Sequence, residues 1–407
     1  MLNFDASGYF ANLLVLMLVV VPLYRVTSSI LARQFISIST GALLLYYIAP
    51  RLVILYFLYW TVIALVSKVM LYYRDRKWAT LIMWLSIILV LSPMFIWKFE
   101  STTFLANLAW FGHSLVTILS TTVGFIDSHR NLFLPIGLSF ATFRALDLIL
   151  QIYLGSINTA SFRHILAYGF CPMLLPVGPI ATLQEVDFSQ RASYRDMKIG
   201  FFLITLGFVK VFLLASLFQD WGNVFRSFER PWWQLIMSSI VFTLYFYLNF
   251  SGYSDIAIGI GKCFGMNLPE NFRWPLFRGS PQQFWANWHA SLSRFAQRYI
   301  FTSVFSSVGG KRWLRQSAAL LATMMVIAWW HDLTISWTVF GVYHGLGLII
   351  HRLWSQNRPA FFERHTKSGL YKFGSWFLLF SFVVLGFPII SVASYRLLDF
   401  YGNLFNM

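Results

Sequence analysis

The sequence predicts an all-α, polytopic integral membrane protein, and three observations carry that prediction. Of the 407 residues, 58% are hydrophobic and 11% charged, against about 25% charged in an ordinary soluble domain, so the chain lacks the polar side chains to cover a wetted surface. Apolar runs long enough to cross a bilayer recur along nearly its whole length, and each reads as a membrane helix. Short alternating segments, the mark of a transmembrane barrel, dominate nowhere.

In chain order the runs place spans at 9–24, 36–50, 52–72, 78–98, 103–125, 131–154, 160–182, 199–218, 231–249, 316–331, 335–351 and 371–391, about 11–12 transmembrane or re-entrant helices. The opening "MLNFDASGYF" is acidic rather than basic and has no small-residue cleavage pattern, so the first run is expected to be an anchor. The net charge of +16 comes from Lys and Arg, which gather in the cytoplasmic loops of membrane proteins; no basic–aromatic surface motif speaks for nucleic acid. With the N-terminus outside, the loops Arg25–Arg33, Arg74–Lys77, Arg191–Lys198, Lys262–Arg315 and Arg352–Lys372 all fall in the cytoplasm. Arg51, Lys98, Arg226 and Arg230 are left on the other side. The whole of 1–407 reads as one integral domain, with an amphipathic, cytoplasm-facing layer at 270–315 rich in Gly, Pro, Trp, Arg and Asn. Cys171 and Cys263 lie far apart without Cys or His neighbours at ligand spacing, so both read as packing residues and no metal site is expected.

Three polar clusters interrupt the apolar pattern. In "LPIGLSFATFRALDLILQIYLG", 134–155, Arg144 and Asp147 are three residues apart and share a helix face, so they are expected to pair as a clasp between helices; the other reading is a wall of a polar tunnel. "YLNFSGYSDIAIGIGKCFG", 247–265, supplies Asn249, Ser251, Tyr253, Ser254 and Asp255, and its Gly252, Gly259, Gly261 and Gly265 permit close backbone approach or a broken helix. No Lys-Ser/Thr follows these glycines and no strand precedes them, which excludes a nucleotide loop. Beyond it, Trp285, Trp288, Arg294 and Arg298 fit an interfacial helix that contains His289.

The third cluster is "MMVIAWWHDLTISW", 324–337, followed by "FGVYHGLGLIIHRLW", 340–354. His331 ends an apolar run between Trp330 and Asp332, and His344 and His351 lie seven apart on one helix stripe. His351 adjoins Arg352 and reads as interfacial. Ionisable groups are costly in hydrocarbon and default to function. A neutral imidazole, whose ordinary pKa is about 6.5, suits a general base.

Five segments in order, "LPIGLSFATFRAL", "YGFCPMLLPVGPI", "FSGYSDIAIGIGKCFGMNLPENFRWP", "FWANWHASLSRF" and "WWHDLTISWTVFGVYHG", span 134–345 and resemble the membrane-bound O-acyltransferase (MBOAT) family. The likeness is to its bacterial branch, which serves alginate O-acetylation and teichoic-acid D-alanylation. The resemblance implies a helical bundle around a polar tunnel in the bacterial cytoplasmic membrane. It implies transfer of an acetyl or D-alanyl group from a cytoplasmic thioester, acetyl-CoA or an acyl carrier protein. The acceptor would be a hydroxyl on an envelope polysaccharide, teichoic acid or lipid, or an envelope-side partner acyltransferase. No cofactor is expected to be tightly bound.

By position the family's catalytic histidine corresponds to His331 and its earlier conserved histidine to His289. Asp255, Asn249, Ser254, Trp288, Trp330, Asp332 and His344 are the expected substrate or tunnel residues. The chain departs from the family where Asp332 replaces a Gly, where Gln297-Arg298 replaces an Arg-Asp pair, and where Arg144 and Asp147 replace neutral residues. A transporter or flippase would also explain the intramembrane charges and glycines, but paired half-helices in corresponding halves are missing.

The positive-inside assignment makes a direct prediction. Single cysteines at Lys77 and Ser193 are expected to react with an impermeant maleimide only from the cytoplasmic face; labelling in intact cells would invert the topology.

Overall fold

The computed structural model describes residues 6–48, 50–101, 135–175, 177–218, 231–358, 367–392 and 397–405, and every regular element among them is helical. The expected span at 103–125 and the loop with Arg226 and Arg230 lie outside the described residues. With no water in a bilayer core, each backbone N–H and C=O must be bonded within its own segment, which is why the long apolar runs close into helices. Five helices among the described residues are long and apolar enough to cross a membrane, with cores at Ile30–Tyr47, Leu52–Tyr73, Tyr194–Phe218, Trp232–Cys263 and Gly369–Ile390. Their outward faces carry Ile54, Phe202 and Leu378, each more than half exposed, a pattern that a bilayer satisfies and water does not. The protein is a multi-pass membrane protein.

The chain gathers into two compact units, one comprising Met1–Thr205 with Asp255–Pro269 and the other Leu206–Ser254 with Glu270–Met407. The first contains α1 (Ala6–Val26), α2 (Ile30–Ile48), α3 (Pro50–Tyr73), α4 (Ala79–Ser101), α5 (Pro135–Tyr153) and the short α6 (Phe162–Gly169). Helix α7 (Tyr194–Phe208) continues through a π-turn at Val209–Leu214, and α8 (Trp232–Cys263) runs for 32 residues.

Two expectations need correction here. Residues 160–182 are not a span: α6 has only eight residues, opens at the cap Ser161 and gives way to a 3-10 turn at Pro172–Leu174. Pro172, Pro176 and Pro179 remove the donors a longer helix would need. The segment is apolar because it is core: Tyr168, Phe170 and Cys171 are wholly buried. Helix α8, in turn, does not stop at 249. It carries the glycine-rich stretch as continuous helix, and Gly259 lies so close to Gly200 of α7 that a Cβ on either would come within 2.6 Å of the other's carbonyl oxygen. Small residues at such a crossing let membrane helices approach closely.

The expected Arg144–Asp147 clasp is replaced by a different device. Arg144, 1% exposed, donates from Nη1 to the Tyr168 carbonyl at 2.8 Å and from Nη2 to that of Gly169 at 3.4 Å. Its guanidinium also lies over the rings of Trp60 and Tyr168. The Asp147 carboxylate instead accepts from Gln151, whose own oxygen accepts from Gln184. Arg33 repeats the arrangement, donating from Nη1 to the carbonyls of Phe188, Ser189 and Gln190. The end of α6 and the non-helical stretch at 188–190 leave carbonyls without helical partners, and planar guanidinia with five donors satisfy several at once. Arg74 reaches the Ile157 carbonyl and Asn158, which ties the loop after α3 to the residues that follow α5.

The second unit adds α9 (Pro281–Asn287), α10 (Ala290–Ala296) with a π-turn at Gln297–Phe301, and α11 (Thr302–Ser307). It closes with α12 (Arg312–His331), α13 (Ile335–Asn357), α14 (Gly369–Gly386) and α15 (Leu397–Phe405). Helices α12 and α13 form an antiparallel hairpin whose basic ends are tied by Gln356 donating to Gln316 at 3.0 Å. Its core gathers Phe242, Tyr247, Phe284, Trp288, Phe340 and Phe387.

Replacing Arg144 with Met removes the side-chain donor from the Gly169 and Tyr168 carbonyls, of which only the second keeps a backbone donor nearby. The variant is expected to lose about 2–4 kcal/mol of stability, from the usual penalty for unsatisfied buried polar groups; an unchanged melting temperature in detergent would rule out the carbonyl clamp.

Candidate active site

The site is built on a hairpin that runs into the second unit rather than lying on its surface. Ser280 caps α9 by accepting from the Gln283 N–H, with Pro281 at the first helical position. Near this foot, Gln282 donates to the Leu348 carbonyl at 3.0 Å. One turn on, Trp285 meets His344 with ring centroids 5.2 Å apart. At the apex, His289 lies 6.2 Å from the ring of Trp330, at the far end of α12. The return limb, α10 and α11, comes back to where Arg315 donates to the Phe305 carbonyl at 2.9 Å. The 20 residues of α12 span ~30 Å at the standard helical rise, so the hairpin carries His289 nearly the full length of that helix. Within the expected cytoplasm-facing layer at 270–315, residues 281–307 form a hairpin packed into the second unit, with Trp288 in the core at 5% exposure. Arg294 and Arg298 are exposed as expected.

His289 is not inside a helix. It separates α9 from α10 with φ +44°, the left-handed region that costs a non-glycine residue about 1–2 kcal/mol. What holds it there is Asn271, a residue sequence reasoning passed over. Asn271 is wholly buried; its Oδ1 accepts from the Ser291 N–H at 3.2 Å and from Ser291 Oγ at 2.8 Å. Its Nδ2 donates to Ser254 Oγ at 3.2 Å and its carbonyl accepts from the Ala290 N–H at 2.9 Å. Its setting, "PENF", gives little signal, since the asparagine follows a charged Glu270 in a segment without helical period.

His331 ends α12 and is exposed, whereas its run of apolar residues suggested enclosure. The side chain sits past the last turn, where α12 gives way to the link to α13, and its ring stacks on Trp337 with centroids 4.4 Å apart and planes 9° from parallel. Trp330 stands between the two histidines, 4.3 Å from His331 and 6.2 Å from His289. Asp332 turns its Oδ1 to the Leu333 N–H at 2.8 Å, while its backbone N–H donates to the Ala328 carbonyl and closes the end of α12.

Of the other expected residues, Ser254 reaches the site through Asn271, and Phe250, one turn before it on α8, meets His289 at 4.8 Å. Asn249 is half-buried beside Phe250. Asp255 is half-buried on α8 and belongs to the other compact unit. His344 is wholly buried on α13, ringed by Phe284, Trp285, Phe340, Tyr343 and Phe382; it belongs to the aromatic core beneath the histidine pair. No cluster of metal-ligating side chains occurs among the described residues.

A family model described as MBOAT, the membrane-bound O-acyltransferase family, matches residues 75–392. The chain belongs to this family. Among its MBOAT relatives, a probable alginate O-acetylase of Pseudomonas syringae pv. tomato is 28% identical over 69% of this chain and 53% of its own length. A peptidoglycan O-acetyltransferase of Helicobacter pylori is 30% identical over 55% of this chain and 44% of the relative. A teichoic acid D-alanyltransferase of Streptococcus thermophilus is 25% identical over 84% of this chain and 82% of its own. The chain thus spans about half the length of the alginate relative and most of the teichoic-acid one. The MBOAT match covers the hairpin and the end of α12 together.

Asn271 acts on the reaction only through the turn it fixes. Replacing it with Ala is expected to lower stability by about 1–3 kcal/mol through the unpaired Ser291 donors and to reduce turnover, while Asn271→Asp, which keeps the acceptor, recovers part of both. Turnover equal to the parent for Asn271→Ala at matched protein level would remove its positioning role.

Proposed function

We propose that this chain is an O-acyltransferase that moves a small acyl group, acetyl or D-alanyl, from a cytoplasmic thioester to a hydroxyl of the cell envelope. The observation that carries the reading is the pair of histidines bracketing Trp330, one buried at a hairpin apex and one exposed at a helix end. Family membership supports it, as do relatives whose names describe O-acetylation and D-alanylation. The donor is acetyl-CoA or an acyl carrier protein, and the acceptor an envelope polysaccharide, teichoic acid or lipid, reached directly or through an envelope-side acyltransferase. The bacterial cytoplasmic membrane is the site of action.

His331 is the general base. Stacking on Trp337 fixes the plane of its imidazole, and a ring held by its face presents its nitrogens at the edge. One nitrogen takes the proton of the acceptor hydroxyl as that oxygen attacks the thioester carbonyl. The new C–O bond forms, the C–S bond breaks, and the departing thiolate receives the proton. His289, enclosed by Phe250 and Trp330, hydrogen-bonds the donor, a task suited to an uncharged imidazole in a ring-lined site. Because His289 stands at the far end of α12, a donor entering from the basic end must traverse ~30 Å of helix length to reach the base.

The test is transfer of a labelled acyl group in membranes at matched protein level. His331→Ala is expected to insert normally and to lower transfer by about 10²–10⁴-fold, the usual contribution of a positioned base. His289→Ala is expected to raise the donor concentration needed more than it lowers the maximal rate. Transfer by His331→Ala at the parent rate would remove the mechanism.

A further inference from the structure

A second site lies away from the histidines, at the basic end of the same unit. Helices α13 and α14 part there around a cavity of about 600 Å³, closed below by Gly279 and Pro281 at the foot of the hairpin. That volume falls within the ~300–1,000 Å³ typical of sites for small ligands. Its walls are Tyr343, Leu346, Gly347, Ile350, Leu379 and Phe382, and the Tyr343 hydroxyl is already committed to the Phe382 carbonyl at 2.8 Å. The interior therefore offers hydrocarbon surface and almost no hydrogen bonding.

The rim shows where an occupant comes from. Leu346, Ile350 and Leu378 line the cavity and are 47%, 65% and 71% exposed on the outside of the helices, the face a bilayer covers. Toward the helix ends, His351, Trp354 and Tyr371 line it, and the chain neighbours of two of them, Arg352 and Lys372, are exposed cations. Between 333 and 392 the sequence places Arg352, Arg358, Arg364, Lys367 and Lys372 against the single acid Glu363. An apolar slot open to the bilayer and headed by cations matches one molecule: a lipid with an acyl chain and an anionic headgroup.

We propose that this cavity binds a membrane phospholipid with an anionic headgroup, one acyl chain lying between α13 and α14 and the phosphate against Arg352 and Lys372. The lipid fills the gap between the two helices and braces the foot of the hairpin. The site is distinct from the transfer chemistry and does not depend on it.

Gly374 provides the test. It lines the cavity, and a Cβ there meets nothing within 4 Å, so a larger side chain enters the slot without touching the packing. Detergent-purified protein is mixed with equal phosphatidylglycerol and phosphatidylcholine and examined by native mass spectrometry. The parent is expected to retain one phosphatidylglycerol, Gly374→Ala to retain it, and Gly374→Leu to lose it with unchanged melting temperature in lipid-free detergent. Arg352→Gln with Lys372→Gln is expected to keep lipid but lower the preference for phosphatidylglycerol by about tenfold, since each basic group near an anionic headgroup contributes several-fold. Equal retention of the two lipids by the parent, or retention by Gly374→Leu equal to the parent, overturns the proposal. So does displacement of the lipid by an acyl thioester, which makes the cavity a donor entrance. If Gly374→Leu melts lower, the double charge variant decides: an unchanged lipid preference overturns the proposal.

Discussion

One buried carboxamide organises the reactive end of this protein. Asn271 joins the strap before α9, the turn after His289 and helix α8 through four hydrogen bonds. A histidine in left-handed backbone opposes its own preference, and such strain persists only where surrounding contacts over-determine it. The chain supplies those contacts from segments far apart in sequence, Ser254 on one side and Ser291 on the other. Around that fixed turn the rings of Phe250, Trp330 and Trp337 then set the two imidazoles. The backbone at His289 thus depends on a side chain from a separate stretch of the chain.

The helical class and most spans could be read from the sequence because hydrocarbon imposes one rule on every backbone group, and apolar length reports it directly. Length fails where apolar residues serve a core instead of lipid, as in 160–182, since Tyr168 and Phe170 are buried by protein with the same hydropathy that lipid would demand. It fails again for 281–307. Trp288 and Arg298 have the composition of an interfacial helix, yet only the arginine lies at the surface, because composition cannot tell an amphipathic layer from a hairpin with a buried tip. The candidate histidines were legible through the ordered motifs, whereas their spatial relation was not: forty residues of chain lie between His289 and Trp330, and no local pattern encodes the ring contact.

The departures from the family pattern also have physical readings. Arg144, expected to pair with a carboxylate, instead serves the carbonyls at the end of α6. The guanidinium is bonded to carbonyls and lies over the rings of Trp60 and Tyr168, where a delocalised cation is at home. Asp332, expected at a glycine position, turns its side chain to the Leu333 N–H just beyond α12. Neither change removes an imidazole from the site.

The hairpin also has a history in time. Its foot is fixed by Trp376, which donates to the Leu276 carbonyl from one hundred residues downstream, and its apex rests on Trp330. At ~5–20 residues per second of synthesis, the strap emerges roughly 5–20 seconds before the last of the helices that hold it. During that interval the buried carboxamide and the histidine turn have no finished bundle to enter, and the nascent chain must shelter them at the membrane surface or within the insertion machinery. The arrangement makes the reactive centre one of the last parts of the molecule to close, so an incompletely made chain carries the histidine without its setting.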